Sequence, residues 1–236
     1  MEVTSLWREP EEETLSFGAV ELHDVFKIFS SGPAETVALR GLDLRVEPGE
    51  LVALHGPSGS GKSTALHLVA GLEEVSAGEV RVLGRSLTRF SEHELARHRA
   101  RDVAIVFQND NLWSELSARD NVVLSLRLAG GRITPEAARD VLDEFGLGSR
   151  ANTRAGALSG GEQQRVAIAA AAARRPAIVL ADEPTAELDE ERERIVLRAL
   201  QRLRASVGAT VVIVTHSPRV AEAADRVLEL RDGRLV

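Results

Sequence analysis

The sequence predicts an α/β domain with a mainly parallel sheet, an antiparallel β element near its N-terminus and an inserted helical subdomain. Strand-like apolar stretches alternate with helix-like stretches over most of the 236 residues, which is typical of parallel sheets connected through helices. A strand, a glycine-rich loop and an apolar helix follow one another at 51–72. Hydrophobic residues make up 44% of the chain and aromatic residues only 3%, so the core must be aliphatic.

The elements can be assigned in chain order. Residues 1–16 are acidic and lack periodicity, so we expect a loosely ordered leader before a single domain at 17–236. Two strands flanking the turn-forming residues 30–33 make the antiparallel element. The expected strands are 20–29, 37–46, 51–55, 79–82, 103–107, 177–181, 210–215 and 226–230. The expected helices are 62–72, 92–101, 119–128, 135–145, 160–174, 190–207 and 218–224.

Two stretches depart from this alternation. Residues 110–158 contain helices and glycine loops but no strand pattern, which predicts the helical subdomain inserted into the sheet domain. Asp232 and Gly233 stand between apolar pairs, which predicts a terminal hairpin.

Composition excludes several classes of protein. The chain has 29 basic and 36 acidic residues, a net charge of −7, which excludes a broadly basic nucleic-acid binder. It has no cysteine, so disulfides, iron–sulfur ligation and zinc fingers are excluded. The longest apolar run, 166–173, is too short to cross a bilayer, and the N-terminus lacks a basic signal region. We therefore expect a cytoplasmic chain that reaches a membrane only through a partner.

Residues 56–63 match the phosphate-binding loop pattern, with a strand before it and a helix after it. In such a loop backbone N–H groups face phosphate oxygens, the lysine reaches the β- and γ-phosphates, and the hydroxyl coordinates Mg²⁺. The alternative is a glycine-rich turn that only caps the helix, and the flanking elements favour the phosphate site. The candidate nucleotide-binding residues are Gly56, Ser58, Gly59, Ser60, Gly61, Lys62, Ser63 and Thr64, and Ser63 is also a candidate metal ligand.

An acidic pair, Asp182 and Glu183, ends a buried-type strand. Such a pair alone would usually begin a solvated loop. With a phosphate loop upstream, Asp182 is expected in the shell of Mg²⁺ and Glu183 as the general base or water-orienting group.

The segment 158–165 has two interpretations. Ser159 and Glu162 have the spacing of a helix capping box. Capping does not explain Gly160 and Gly161, because each glycine costs up to about 1 kcal/mol against alanine inside a helix. Bare backbone N–H groups that approach an anion closely would explain both. The segment therefore predicts a second helix N-terminus that faces phosphate.

Together these motifs resemble the ATP-binding cassette (ABC) family from about Val20 to Val236. Their order is the family's: the phosphate loop, the Q-loop residue Gln108, the signature segment 158–163, the acidic pair, the D-loop at 186–189 and the switch residue His216. The resemblance implies an ATPase that binds ATP and Mg²⁺ and works as a head-to-tail pair. The phosphate loop of one copy would face Ser159, Gly160, Gly161 and Glu162 of the other.

The resemblance also implies roles for two single residues. Gln108 would lie between the Mg²⁺ site and the helical subdomain and respond to loss of the γ-phosphate, so it is both a catalytic and a metal-site candidate. His216 would bind the γ-phosphate and orient Glu183 and the attacking water.

The adenine platform is less clear. The family usually has a tyrosine shortly before the phosphate loop, and this chain has no tyrosine. Phe29 is our candidate for stacking on adenine, and Phe26 or plain core packing is the alternative. Lys27, which with Lys62 makes up the only two lysines beside 27 arginines, has no assigned role. The spacing of the histidines predicts no transition-metal site.

Three stretches resemble the bacterial lipoprotein-release and macrolide-export group of ABC ATPases: 38–42, 158–167 and 181–185. Residues 186–187 and 169–173 depart from that group. The resemblance implies a peripheral ATPase at the cytoplasmic face of the cell membrane that drives a separate transmembrane permease.

The contact with such a permease has one candidate. Trp113, with Leu112, follows the Q-loop in a polar run, and packing of Trp113 inside the helical subdomain is the alternative. Two other outputs stay open: pulling on a membrane protein that transports nothing, and a soluble ABC ATPase without a membrane partner.

Overall fold

The computed structural model describes residues 17–31, 34–186 and 188–236. The predicted leader at 1–16, part of the predicted turn at 30–33 and Glu187 of the D-loop lie outside the described residues.

The described residues form two sheets and a set of helices. The strands are β1 (Val20–Ser31), β2 (Ala34–Val46), β3 (Leu51–His55), β4 (Ala77–Val82), β5 (Arg85–Ser86), β6 (Val103–Val106), β7 (Ile178–Asp182), β8 (Thr210–Thr215), β9 (Arg226–Arg231) and β10 (Arg234–Leu235). The helices are α1 (Lys62–Val69), α2 (Glu92–Arg101), α3 (Ala118–Leu128), α4 (Pro135–Glu144), α5 (Gly160–Arg174), α6 (Glu190–Val207) and α7 (Pro218–Glu222).

The larger sheet has the order β10-β9-β3-β8-β7-β6, and its strands β9, β3, β8, β7 and β6 run parallel. The smaller sheet has the order β2-β1-β4-β5 and is antiparallel. The predicted fold class, with a mainly parallel sheet and an N-terminal antiparallel element, is confirmed. Strand β4, which the sequence analysis predicts as a strand without assigning its neighbours, pairs with β1 in the antiparallel sheet. Its buried residues alternate with more exposed ones, which is typical of a sheet with one solvated face.

The central strands of the parallel sheet, β3, β8 and β7, are buried on both faces. In β7, Val179 packs with α5 and α6, whereas Leu180 faces the space that α1 fills between the two sheets. In β8, Val211 and Ile213 lie on the face that packs with α5 and α6, and Val212 lies on the face that packs with α1. This explains why these strands read as continuous apolar runs.

Helix boundaries follow the expectations closely, with one clear difference. Helix α1 ends at Val69 rather than Leu72, because Gly71 has φ +63° and turns the chain. The predicted terminal hairpin is confirmed: β9 and β10 pair antiparallel around Asp232 and Gly233, both with positive φ.

Helices α3 and α4 lie in the stretch expected to be helical. Val122 of α3 and Leu142 of α4 belong to the same apolar cluster as Ile168 of α5. Among the described helices, none has both the length and the apolar composition needed to cross a membrane.

Candidate active site

The predicted site residues meet at the carboxyl edge of the parallel sheet. Strands β3 and β8 are in register at His55 and Thr215, and Asp182 of β7 pairs with Val214 of β8. Strand β6 ends beside β7, with Val106 opposite Ala181. Loops that leave the carboxyl ends of neighbouring parallel strands form one crevice. The phosphate loop, the acidic pair, His216 and Gln108 all leave the sheet there.

The phosphate loop needs its glycines. A Cβ on Gly56 would lie 2.1 Å from the carbonyl oxygen of Leu230, and a Cβ on Gly61 would lie 2.5 Å from that of Ala38. Gly59 has no such neighbour, but its φ of +78° favours glycine. The loop is therefore fixed by neighbouring backbone and presents bare main chain.

Lys62 is buried inside this loop. Its Nζ donates to the carbonyl oxygens of Gly56 (2.9 Å) and Pro57 (2.8 Å), which leaves a third ammonium donor. The Oγ of Ser60 is buried without a hydrogen-bond partner in the described part of the chain, and no described side chain caps α1 at Gly61. Unsatisfied donors around a helix N-terminus fit an anion such as a phosphate. Ser58 is exposed on the loop and Thr64 is half-buried in the first turn.

Ser63 and Asp182 form the second part of the site. The Oγ of Ser63 donates to Oδ1 of Asp182 at 2.9 Å, and Nε2 of His67 lies 3.8 Å from Oδ2. Burial raises the pKa of Asp182, and the Ser63 hydrogen bond opposes that rise. A hydroxyl beside a carboxylate is a pair of hard oxygen ligands, which fits Mg²⁺.

Glu183 is held by the switch histidine. Nδ1 of His216 lies 2.9 Å from Oε1 of Glu183, and the backbone N–H of His216 donates to Oε2 at 3.3 Å. Glu183 has φ +46°, a left-handed conformation that is unfavourable for a residue with a side chain, and its N–H donates to the carbonyl oxygen of Val214. Its carboxylate is thus fixed at the sheet edge.

The capping interpretation of the signature segment is confirmed. The N–H of Ser159 donates to Oε2 of Glu162 at 2.9 Å, and the N–H of Glu162 donates to Oγ of Ser159 at 3.4 Å. The Ser159 backbone hydrogen bond is the main cause that holds the pKa of Glu162 below its ordinary value.

The two signature glycines, Gly160 and Gly161, are not required by close contacts among the described residues, unlike Gly56 and Gly61 of the phosphate loop. A Cβ on Gly160 would lie 3.8 Å from Leu188, and one on Gly161 would lie 3.6 Å from Arg192, both ordinary contact distances. Neither glycine has a left-handed φ. No neighbour in the described chain therefore requires glycine at either place.

Gln108 is tied to the signature helix by a residue that the sequence analysis missed. Gln164 of α5 is buried, and its Nε2 donates to the carbonyl oxygens of Gln108 (2.6 Å) and Phe107 (3.0 Å). Asn111 donates to Oε1 of Gln164 at 3.1 Å. The available signal was an amide on the buried face of α5, four residues before Ile168.

Comparison with known proteins decides the family. A family model described as ABC transporter matches residues 39–186, well over half of the chain. The chain belongs to the ABC transporter family. It is an ABC-type ATPase, and the predicted likeness to the lipoprotein-release and macrolide-export group is confirmed.

Similar proteins include the lipoprotein-releasing system ATP-binding protein LolD of Anaeromyxobacter dehalogenans, 44% identical over 95% of this chain and 95% of its own length. The macrolide export ATP-binding/permease protein MacB of Syntrophobacter fumaroxidans is 40% identical over 91% of this chain, but over only 30% of its own length. Among solved structures, the dimeric post-hydrolysis state of the ATP-binding cassette MJ0796, bound to ADP and Pi, has a TM-score of 0.84 and 37% identity. The match covers 92% of this chain and 96% of that one.

Phe29, the ABC adenine candidate, lies on β1 opposite Thr36 and is 39% exposed. Thr36 is two residues before Ala38, whose carbonyl oxygen packs against Gly61 of the phosphate loop. Phe26 is half-buried, and its ring packs against Gly41. An exposed aromatic ring therefore lies near the phosphate loop at Phe29.

Trp113 lies on the surface of the ABC cassette. Its side chain is 68% exposed, so packing inside the helical subdomain is wrong. Asn121 holds its backbone, accepting from the Trp113 N–H at 2.8 Å and donating to its carbonyl oxygen at 3.1 Å. Trp113 and the exposed Leu128 line one groove between α3 and α5, which Leu112 also lines.

Proposed function

We propose that the chain hydrolyses MgATP at sites formed by two copies arranged head to tail, and that this cycle drives a separate transmembrane permease at the cytoplasmic face of the cell membrane. The observation that carries the pairing is the pair of glycines in the first turn of α5, Gly160 and Gly161, which no contact in the described chain requires. The dimeric MJ0796 cassette supports it. In the pair, Ser159, Gly160, Gly161 and Glu162 of one copy would close over the nucleotide of the other.

The nucleotide would lie with its phosphates on the loop at 56–64. Lys62 would direct its remaining donor to the β- and γ-phosphates, while Ser60 and the first turn of α1 donate to phosphate oxygens. Ser63, Asp182 and Gln108 would hold Mg²⁺. Bound there, the cation would neutralise charge on the β- and γ-phosphates. Phe29 would stack on adenine, which its exposure and its place opposite Thr36 support.

Hydrolysis would depend on Glu183. As the water oxygen forms a bond to the γ-phosphorus in line with the breaking bond to ADP, Glu183 would accept the water's proton and pass it to the released phosphate. His216 would keep the carboxylate aimed at this water.

Mixing two inactive variants tests the pairing. Lys62→Ala should disable the phosphate loop, and Gly160→Phe should block the signature end, where an added Cβ makes only an ordinary contact within the described chain, 3.8 Å from Leu188. Each variant alone should be inactive. In an equal mixture half of the dimers are mixed and hold one intact site, so about a quarter of wild-type activity should return. An inactive mixture of folded variants, or an active Gly160→Phe variant, would contradict the pairing.

The exposed Trp113 supports a membrane partner, as do the relatives named as transporter components. We expect the chain to copurify from native membranes with a multispanning protein that stimulates its ATPase. Trp113→Glu should release it, and Trp113→Phe should not. A chain that stays soluble in such cells would favour a soluble ABC ATPase. A partner that moves no substrate when reconstituted would favour mechanical output instead.

A further inference from the structure

Lys27 is held by three different groups. Its Nζ lies 2.8 Å from Oε2 of Glu73, donates to the carbonyl oxygen of Glu74 at 2.9 Å, and lies 4.7 Å from the ring centroid of Phe29. The lysine side chain is only 12% exposed. An ammonium so placed is fixed rather than mobile, and it covers one face of an otherwise exposed aromatic ring.

These contacts connect Phe29 with the segment that follows the C-terminal end of α1, the helix that begins at the phosphate loop. Glu73 and Glu74 lie in the segment between α1 and β4. The same segment is hydrogen-bonded to β1 at the residues on both sides of Lys27. The N–H of Ser76 donates to the carbonyl oxygen of Phe26 at 2.8 Å, and the N–H of Ile28 donates to Oγ of Ser76 at 2.9 Å.

We infer that Lys27 is a positioning residue that sets Phe29 as a one-sided platform for adenine. The inference rests on the proposed stacking role of Phe29. With the ammonium against one ring face, the base stacks on the other, and a ring already held in one orientation loses less freedom when the base binds.

This inference also accounts for a lysine in a chain that uses arginine almost everywhere else. The carboxylate, the carbonyl and the ring contact one nitrogen. A compact ammonium with three rotatable donors suits such an arrangement, whereas a guanidinium spreads its donors in one plane.

The test uses the full chain with Phe29→Trp, which keeps an aromatic platform and supplies an indole reporter. MgATP should change the indole fluorescence, and Mg-tripolyphosphate, which has no base, should not. Adding Lys27→Met should raise the half-saturating ATP concentration about two- to five-fold. It should leave kcat and tripolyphosphate affinity, measured by competition, unchanged. Arg81→Met is the matched control, because it removes another cation of the same sheet, one paired with Glu79. It should leave the half-saturating ATP concentration, kcat and the tripolyphosphate affinity unchanged.

Glu73→Gln is a second variant that loosens the ammonium without removing it, and it carries the test if Lys27→Met does not fold. We expect the same base-specific weakening, smaller in size. If Lys27→Met or Glu73→Gln leaves the ATP curve unchanged, or weakens ATP and tripolyphosphate equally, Lys27 is only a tether and the inference is overturned. If MgATP does not change the indole fluorescence and Phe29→Ala binds ATP normally, the proposed stacking role of Phe29 is wrong. This outcome is distinct from failure of the inference about Lys27.

Discussion

His216 and Glu183 are joined twice: Nδ1 of the imidazole lies 2.9 Å from one carboxylate oxygen, and the backbone N–H of His216 donates to the other. The Glu183 side chain is 17% exposed and that of His216 is 67% exposed. The carboxylate is therefore oriented by a group that itself reaches solvent. We expect the two to act as a base and its orienting partner.

Glu183→Gln should nearly abolish turnover and leave ATP binding intact. The amide has the size of the carboxylate but cannot accept the proton of water, so we expect phosphate release to fall about 10²- to 10⁴-fold. A fluorescent ATP analogue measures binding, and light scattering with MgATP should show a trapped dimer. Hydrolysis at the wild-type rate in this variant would contradict the assigned base.

Ser63→Ala should weaken the metal site. The hydroxyl that bonds Asp182 at 2.9 Å is lost, so the Mg²⁺ concentration for half-maximal ATPase should rise about ten-fold or more. A Mg²⁺ titration of the ATPase rate measures this effect. Nucleotide binding in EDTA provides the control, because it should not change. An unaltered Mg²⁺ requirement would exclude Ser63 as a ligand.

Gln164→Leu should lower stability and disturb the Q-loop. It removes the buried donor to the carbonyl oxygen of Gln108 and one of the two donors to that of Phe107, which still accepts from Asn111. The lost donor costs about 1–3 kcal/mol. Gln163→Leu is the matched control for stability, because the Gln163 amide is half-buried and donates to Leu158. Urea unfolding compares the stabilities of the two variants. Equal losses of stability would contradict a special contribution from the buried Gln164 amide.

Asp225→Asn should reduce stability in a pH-dependent way. The N–H of Leu51 and the guanidinium of Arg204 hold the pKa of Asp225 below its ordinary value. A lowered folded-state pKa contributes stability at pH values above the unfolded-state pKa, and this contribution is lost as the pH falls through the folded-state value. The difference in free energy of unfolding between wild type and variant should therefore be largest near pH 7 and disappear as the pH falls below about 4. Denaturant midpoints across this range measure it, and a constant gap would contradict the shift.

Motifs formed by residues close together in the chain could be predicted from the sequence. The phosphate loop and the capping box at Ser159 and Glu162 depend on residues close together in the chain, so their spacing shows them. The carboxyl edge follows as well, since parallel strands must bring Asp182 and His216 to one side.

Contacts between distant segments could not be predicted in this way. Gln164 reaches back 56 residues to Gln108, and Lys27 reaches forward 47 residues to Glu74. Strand β4 joins β1 rather than the parallel strands for the same reason. Each depends on how the sheets and helices pack, which residue spacing along the chain does not contain.

The left-handed backbone of Glu183 sets folding against catalysis at one residue. With φ at +46°, any side chain there costs about 1–2 kcal/mol that glycine would not. Selection for heat resistance alone should therefore favour glycine at 183, and the proposed role of Glu183 predicts that this more stable cassette would be inactive. Under the proposed role of Glu183, the glutamate keeps the catalytic base at this position at the expense of fold stability.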